Sequence, residues 1–69
     1  MKFRDFIRAL LDHGFVLDRQ KGSHRQYKGE VNGRVQLVTV ACNAEGDDVK
    51  PGTLASMIRQ SALPRRLFR

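Results

Sequence analysis

At 69 residues the chain has room for one domain and one core, near the lower limit for folding without a covalent or metal staple. Thirteen Lys and Arg against seven Asp and Glu give a formal charge of +6. A single cysteine, Cys42, excludes an intrachain disulfide, nothing resembles a zinc cluster, residues 1–15 lack the basic-then-apolar order of a signal peptide and no apolar run reaches membrane-spanning length, so a soluble cytoplasmic protein is expected.

In chain order, Phe3, Phe6, Ile7, Leu10 and Leu11 recur at the spacing of one helix face, which predicts an amphipathic helix over 3–13. Gly14 suits the position after its end, and His13 in the last turn suits the helix dipole when protonated. Arg4 and Arg8, at i, i+4, read as a solvated face.

Three strand-like runs follow: "FVLDRQ" (15–20), "HRQYK" (24–28) and "RVQLVTV" (34–40). Asn32-Gly33 between the last two is the signature of a two-residue type I′ hairpin turn. For the first turn, a three-residue loop, Lys21-Gly22-Ser23, keeps apolar residues together by pairing Leu17 with Tyr27. In that register Phe15, Leu17, Tyr27 and Val38 face the core. Arg19 and Arg25 stand opposite each other, and His24, Gln26 and Lys28 share the outer face. Core packing is therefore the expected role of Tyr27, with base stacking its rival.

Residues 41–52, "ACNAEGDDVKPG", read as a loop. "TLASMIRQSAL" (53–63) reads as a second helix with Thr53 as its N-cap. Beyond Pro64, Leu67 and Phe68 can pack back on the core, while Arg65, Arg66 and Arg69 read as solvated. The expected fold class is α+β: α-β-β-β-α in a single domain over 1–69, a three-stranded antiparallel sheet with both helices on one face. One short chain closes only one core, so the other sheet face stays wet.

The charge is unevenly placed. Arg19 to Arg34 holds five basic residues and one acid, Glu30, whereas Glu45, Asp47 and Asp48 cluster later. A basic stretch on a small domain points first to nucleic acid, through phosphate neutralisation and counterion release; an acidic protein partner is the rival. Within that stretch lies "KGSHRQYKG", with His24 after a Gly-Ser turn and among Lys21, Arg25 and Lys28. From these residues alone His24 reads either as a solvated strand residue or as a proton-transfer group.

The element order resembles the double-stranded-RNA-binding domain. More closely, "GFVLDRQKGSHRQYKG", then "VTV", then "KPGTLASMIRQSAL" is similar to the HicA-type mRNA interferases, toxins of toxin–antitoxin pairs, over residues 3–68. The Gly-Ser-His element and the Gly-Thr-Leu opening of the last helix are the most specific parts. The resemblance implies an endoribonuclease that cleaves mRNA without a metal or other cofactor and inhibits translation. It places the active histidine at His24 and implies a HicB-type antitoxin that covers the His24 face. The chain departs from the family after the third strand, where Ala41 and Asn43 stand in place of a proline and a nearby histidine. No second catalytic or RNA-contacting group carries over from that loop.

The residue types suit that chemistry. In metal-free RNA cleavage the neighbouring 2′-OH is the nucleophile, so the enzyme supplies proton transfer and positive charge. An exposed imidazole titrates near neutral pH and can take or give a proton. Lys21, Arg25 and Lys28 are the expected charges on the phosphate, with Gln26 beside them. Gly22 lets backbone approach an anion closely, and Ser23 either donates to phosphate or closes the turn. Two other readings stay open: an RNA-binding module that blocks by occupancy, and an inactive homologue that only binds a partner.

Overall fold

A computed structural model of the protein describes residues 1–68, and Arg69 lies outside the described residues. The elements are α1 (Phe3–Asp12), β1 (Val16–Lys21), β2 (His24–Val31), β3 (Arg34–Ala41), α2 (Pro51–Ser61) and a short 3₁₀ turn, Arg65–Phe68. The strands form one antiparallel sheet in the order β1-β2-β3. Phe6, Ile7 and Leu10 of α1, Met57 and Ile58 of α2, and Phe15, Tyr27, Val38 and Val40 from the sheet side make one buried cluster. Both helices thus cover the same face, and the α-β-β-β-α expectation holds. Among the described residues no helix is long and apolar enough to cross a membrane.

The end of α1 shows how local chemistry sets the entry into the sheet. The Phe15 N–H donates to the Leu10 carbonyl and the Gly14 N–H to that of Leu11, with Gly14 at φ 86°. This is a Schellman closure, and its usual apolar contact is supplied by Leu10 and Phe15, both buried. His13 lies just past the helix, its Nδ1 2.7 Å from the Ala9 carbonyl, as befits a residue that closes a helix end.

The second hairpin follows its turn. Asn32 and Gly33 both have positive φ, 53° and 79°, as type I′ demands. Pairing then runs one-to-one from Val31↔Arg34 to His24↔Ala41, with Tyr27 opposite Val38.

The first hairpin differs from the expected one. Lys21 pairs with His24, so the loop has two residues, Gly22-Ser23, not three. Gly22 adopts φ 58°, the positive value required at the first loop position of a type II′ turn. Carried on unchanged, this register would set Asp18 against Tyr27. Instead the pairing shifts between Leu17 and Arg19, and a bulge at Asp18 restores Leu17↔Tyr27. Arg19 therefore pairs with Gln26, and the expected Arg19–Arg25 opposition does not form. Leu17 keeps its partner but is 47% exposed, because β1 is an edge strand beyond the reach of the helices.

The second helix also departs from expectation. The second helix starts at Pro51, with Lys50 in the N-cap position and no side-chain cap; Thr53 lies inside the first turn. Proline at the start of a helix is favoured because its missing N–H has no intrahelical partner there, so "KPG" was the stronger start signal. At the other end Ala62 closes the helix at φ 59°. Beyond it Phe68 stacks on Phe6 with centroids 4.8 Å apart, and Leu67 packs beside the core as expected.

Candidate functional site

Cross-strand partners share a face, so the register defines the uncovered side of the sheet row by row. Nearest the first turn is Lys21–His24–Ala41, then Arg19–Gln26–Thr39, then Val16–Lys28–Leu37. His24, Lys28 and Thr39 are exposed and Gln26 is half-buried. The first two rows are polar. The third is aliphatic around one lysine, with Val16 60% and Leu37 47% exposed. At the polar end lies an open recess of about 260 Å³ lined by Arg19, Gln20, Lys21, His24, Arg25, Gln26 and Thr39.

Each functional side chain owes its place to a specific local device. Strand alternation puts His24, Gln26 and Lys28 together on the outer face. The two-residue turn sets Lys21 directly across from His24. The bulge brings Arg19 onto the same face, which the simple alternation from Leu17 would not. Arg19 and Thr39 are thus recess residues that sequence reasoning left out of the candidate set. The first depends on the bulge, for which the sequence carries no turn signal. The second depends on the pairing of β3 and was readable from Asn32-Gly33. Gly22 and Ser23 form the turn itself; the Ser23 carbonyl accepts the Cys42 N–H at 2.9 Å, and the Gly22 carbonyl accepts from Gln20 Nε2.

Arg25 is the residue whose expected place needs correction. It pairs with Val40 and, two residues from Tyr27, belongs to the inner parity of β2. Its Nη1 donates to Glu45 Oε2 at 2.9 Å, and only 21% of the side chain is exposed. Glu45, with Tyr27 beside it, pushes the guanidinium pKa up, so this cation is permanently charged and already paired. Arg25 borders the recess, but its charge is directed to the 42–45 segment rather than to the outer face that carries Lys21 and Lys28. Tyr27 is buried against the helices, as expected of a core residue, and is out of reach for stacking on a base.

Below the sheet, Cys42 is buried and burial pushes its thiol pKa up, which keeps it protonated and inert. Among the described residues no three His, Cys, Asp or Glu side chains gather as a metal-binding group. The His24 imidazole makes no side-chain hydrogen bond among the described residues. What the recess offers is therefore one exposed imidazole, flanked by two cations from β1 and by amide and hydroxyl groups from β2 and β3. That set can bind a polyanion and move a proton.

No curated protein and no solved structure matches the chain. A family model does, that of the HicA toxin of bacterial toxin–antitoxin systems, over residues 3–63. Since that match spans nearly all of the 69 residues, the chain belongs to the HicA toxin family.

Proposed function

We propose that the protein is an endoribonuclease that cleaves mRNA in the cytoplasm and so inhibits translation, with His24 as its catalytic acid/base. The observation that carries this reading is the position of His24. It is exposed on the uncovered face, opposite Lys21 and one row from Arg19, at the mouth of a recess that the helices leave open. An RNA strand laid along β2 would bring its phosphates past Lys21 and Arg19, with Lys28 further along the same face. His24 takes the proton of a 2′-OH, whose oxygen attacks the adjacent phosphorus. The 5′-oxygen leaves and is protonated, giving a cyclic phosphate end and a 5′-hydroxyl end. Lys21 and Arg19 stabilise the negative charge that builds on the phosphoryl oxygens. The second proton transfer falls to water or a lysine, and turnover is slow as a result.

The family implies an antitoxin partner for this chain. A HicB-type antitoxin that covers the His24 face would block the site and neutralise its charge in one contact, and would add stability to a marginal domain by mass action.

The decisive experiment compares His24→Ala with the parent for growth arrest and for cleavage of RNA by protein purified free of host nuclease. Loss of both, with an unchanged circular dichroism spectrum, supports the reading. A folded His24→Ala variant that stays as toxic as the parent overturns it. A second reading, an RNA-binding module that blocks by occupancy, is favoured by the absence of any side chain orienting the His24 ring among the described residues. Newly cut RNA ends produced in EDTA exclude that module; salt-dependent binding with intact RNA would select it.

A further inference from the structure

His24 stands at the first position of β2, immediately after a two-residue turn. Its pairing with Ala41 is also the last rung at the open end of the β2–β3 ladder, where pairing frays, and a displacement of about 1 Å at a reacting group can cost about 10²-fold in rate. Yet the residues on both sides of His24 are tied to one segment. The Ser23 carbonyl accepts the Cys42 N–H at 2.9 Å, and Arg25 Nη1 donates to the Glu45 carboxylate at 2.9 Å. That segment and its continuation to Asp47 are held from behind by the start of α1 and by Lys2 just before it. The Arg4 N–H donates to the Glu45 carbonyl at 2.9 Å, the Phe3 N–H to that of Asp47 at 3.0 Å, and Lys2 Nζ to that of Gly46 at 3.0 Å. Glu45 is the junction, gripping β2 through its side chain and α1 through its carbonyl.

We infer that residues 42–47 form a clamp that fixes His24 at the recess, with Glu45 and Arg25 as positioning residues of the nuclease reaction. The inference rests on the nuclease reading for its consequence, but the clamp itself is a property of the fold. It also gives a role to the acidic stretch that follows β3. One of its carboxylates holds the inner cation of β2, while the outer cations Lys21 and Arg19 stay on the substrate side. Arg25 suits the task because its guanidinium is rigid and remains charged in a largely buried place.

The experiment uses the full chain and three variants, Glu45→Ala, Glu45→Gln and Arg25→Ala, assayed well below their melting temperatures. The clamp predicts that Glu45→Ala and Arg25→Ala lower kcat by about 10- to 100-fold, with KM for a single-stranded RNA changed less than about twofold. Glu45→Gln keeps an acceptor for Arg25 and recovers most of kcat. In parallel, amide hydrogen exchange across residues 22–26 accelerates in the two alanine variants and not in Glu45→Gln. Exchange that stays at the parent rate in Glu45→Ala overturns the clamp. So does a pattern in which Arg25→Ala raises KM while Glu45→Ala and Glu45→Gln both lower it, since Arg25 is then an RNA contact that Glu45 masks. If the parent leaves RNA intact, the nuclease reading falls, and the exchange measurement still decides the clamp.

Discussion

The two hairpins share β2 but are specified differently. The β2–β3 hairpin is regular: Asn32 and Gly33 take the positive φ values of a type I′ turn, and eight pairs follow without a shift. The β1–β2 hairpin has its own two-residue turn, yet turn and core demand different registers, and a bulge at Asp18 reconciles them. The regular hairpin carries packing, through Tyr27↔Val38 and Arg25↔Val40. The irregular one carries the candidate site, because the shift that keeps Leu17 beside Tyr27 also turns Arg19 out beside Gln26. A bulge here moves a cation onto the face that carries His24 while leaving the core pairing intact.

Substitutions at the two hairpins should separate these roles. The largest effect is expected at the irregular one: His24→Ala lowers RNA cleavage by roughly 10²–10⁴-fold, read as kcat/KM, with no change in thermal midpoint beyond about 2 °C. Gly29→Ala attacks the support beneath that hairpin. A Cβ on Gly29 would lie 2.6 Å from the ring of Phe15, which is buried and has nowhere to move. Overpacking of this kind costs about 1–3 kcal/mol, a large share of the stability of so small a domain, and calorimetry should show Tm falling by at least about 4 °C.

At the regular hairpin, Asn32→Ala places alanine at φ 53° and costs about 1 kcal/mol in urea denaturation, while cleavage measured below the transition stays at the parent rate. A drop in cleavage there would mean that the second turn also shapes the site. The smallest effect is expected for deletion of Asp18. Without that residue Leu17 falls opposite Tyr27 in the uninterrupted register, and Arg19 stays opposite Gln26. Stability should change by less than about 1 kcal/mol and cleavage by less than about threefold. A larger loss of cleavage would show that the local twist of the bulge, and not only the register, sets the recess.

Much of the fold was legible from residue pattern. Phe6, Ile7 and Leu10 of the first stripe, the Gly14 closure, Asn32-Gly33 and the return of Phe68 each act through neighbours close in sequence or through simple burial and appear as expected, whereas Leu11, read as part of the same stripe, is 51% exposed at its edge. The errors have two different sources. Placing Thr53 as the cap overlooked that Pro51 is itself a start signal, a local rule available in the sequence. The three-residue loop was the simplest way to pair Leu17 with Tyr27, and a bulge reaches the same pairing by a route that no turn residue announces.

The site divides along the same line. Sequence alone determined that His24, Gln26 and Lys28 share the uncovered face, because strand alternation is a property of the backbone. It also determined that the chain is cationic around that histidine. Only the tertiary structure decided which cations stay there. Arg19 arrives through the register shift at the bulge, and Arg25, on the inner side by strand alternation, is taken up by Glu45, twenty positions away. Charge is written in composition, but its direction depends on which face the register assigns and which distant group answers it.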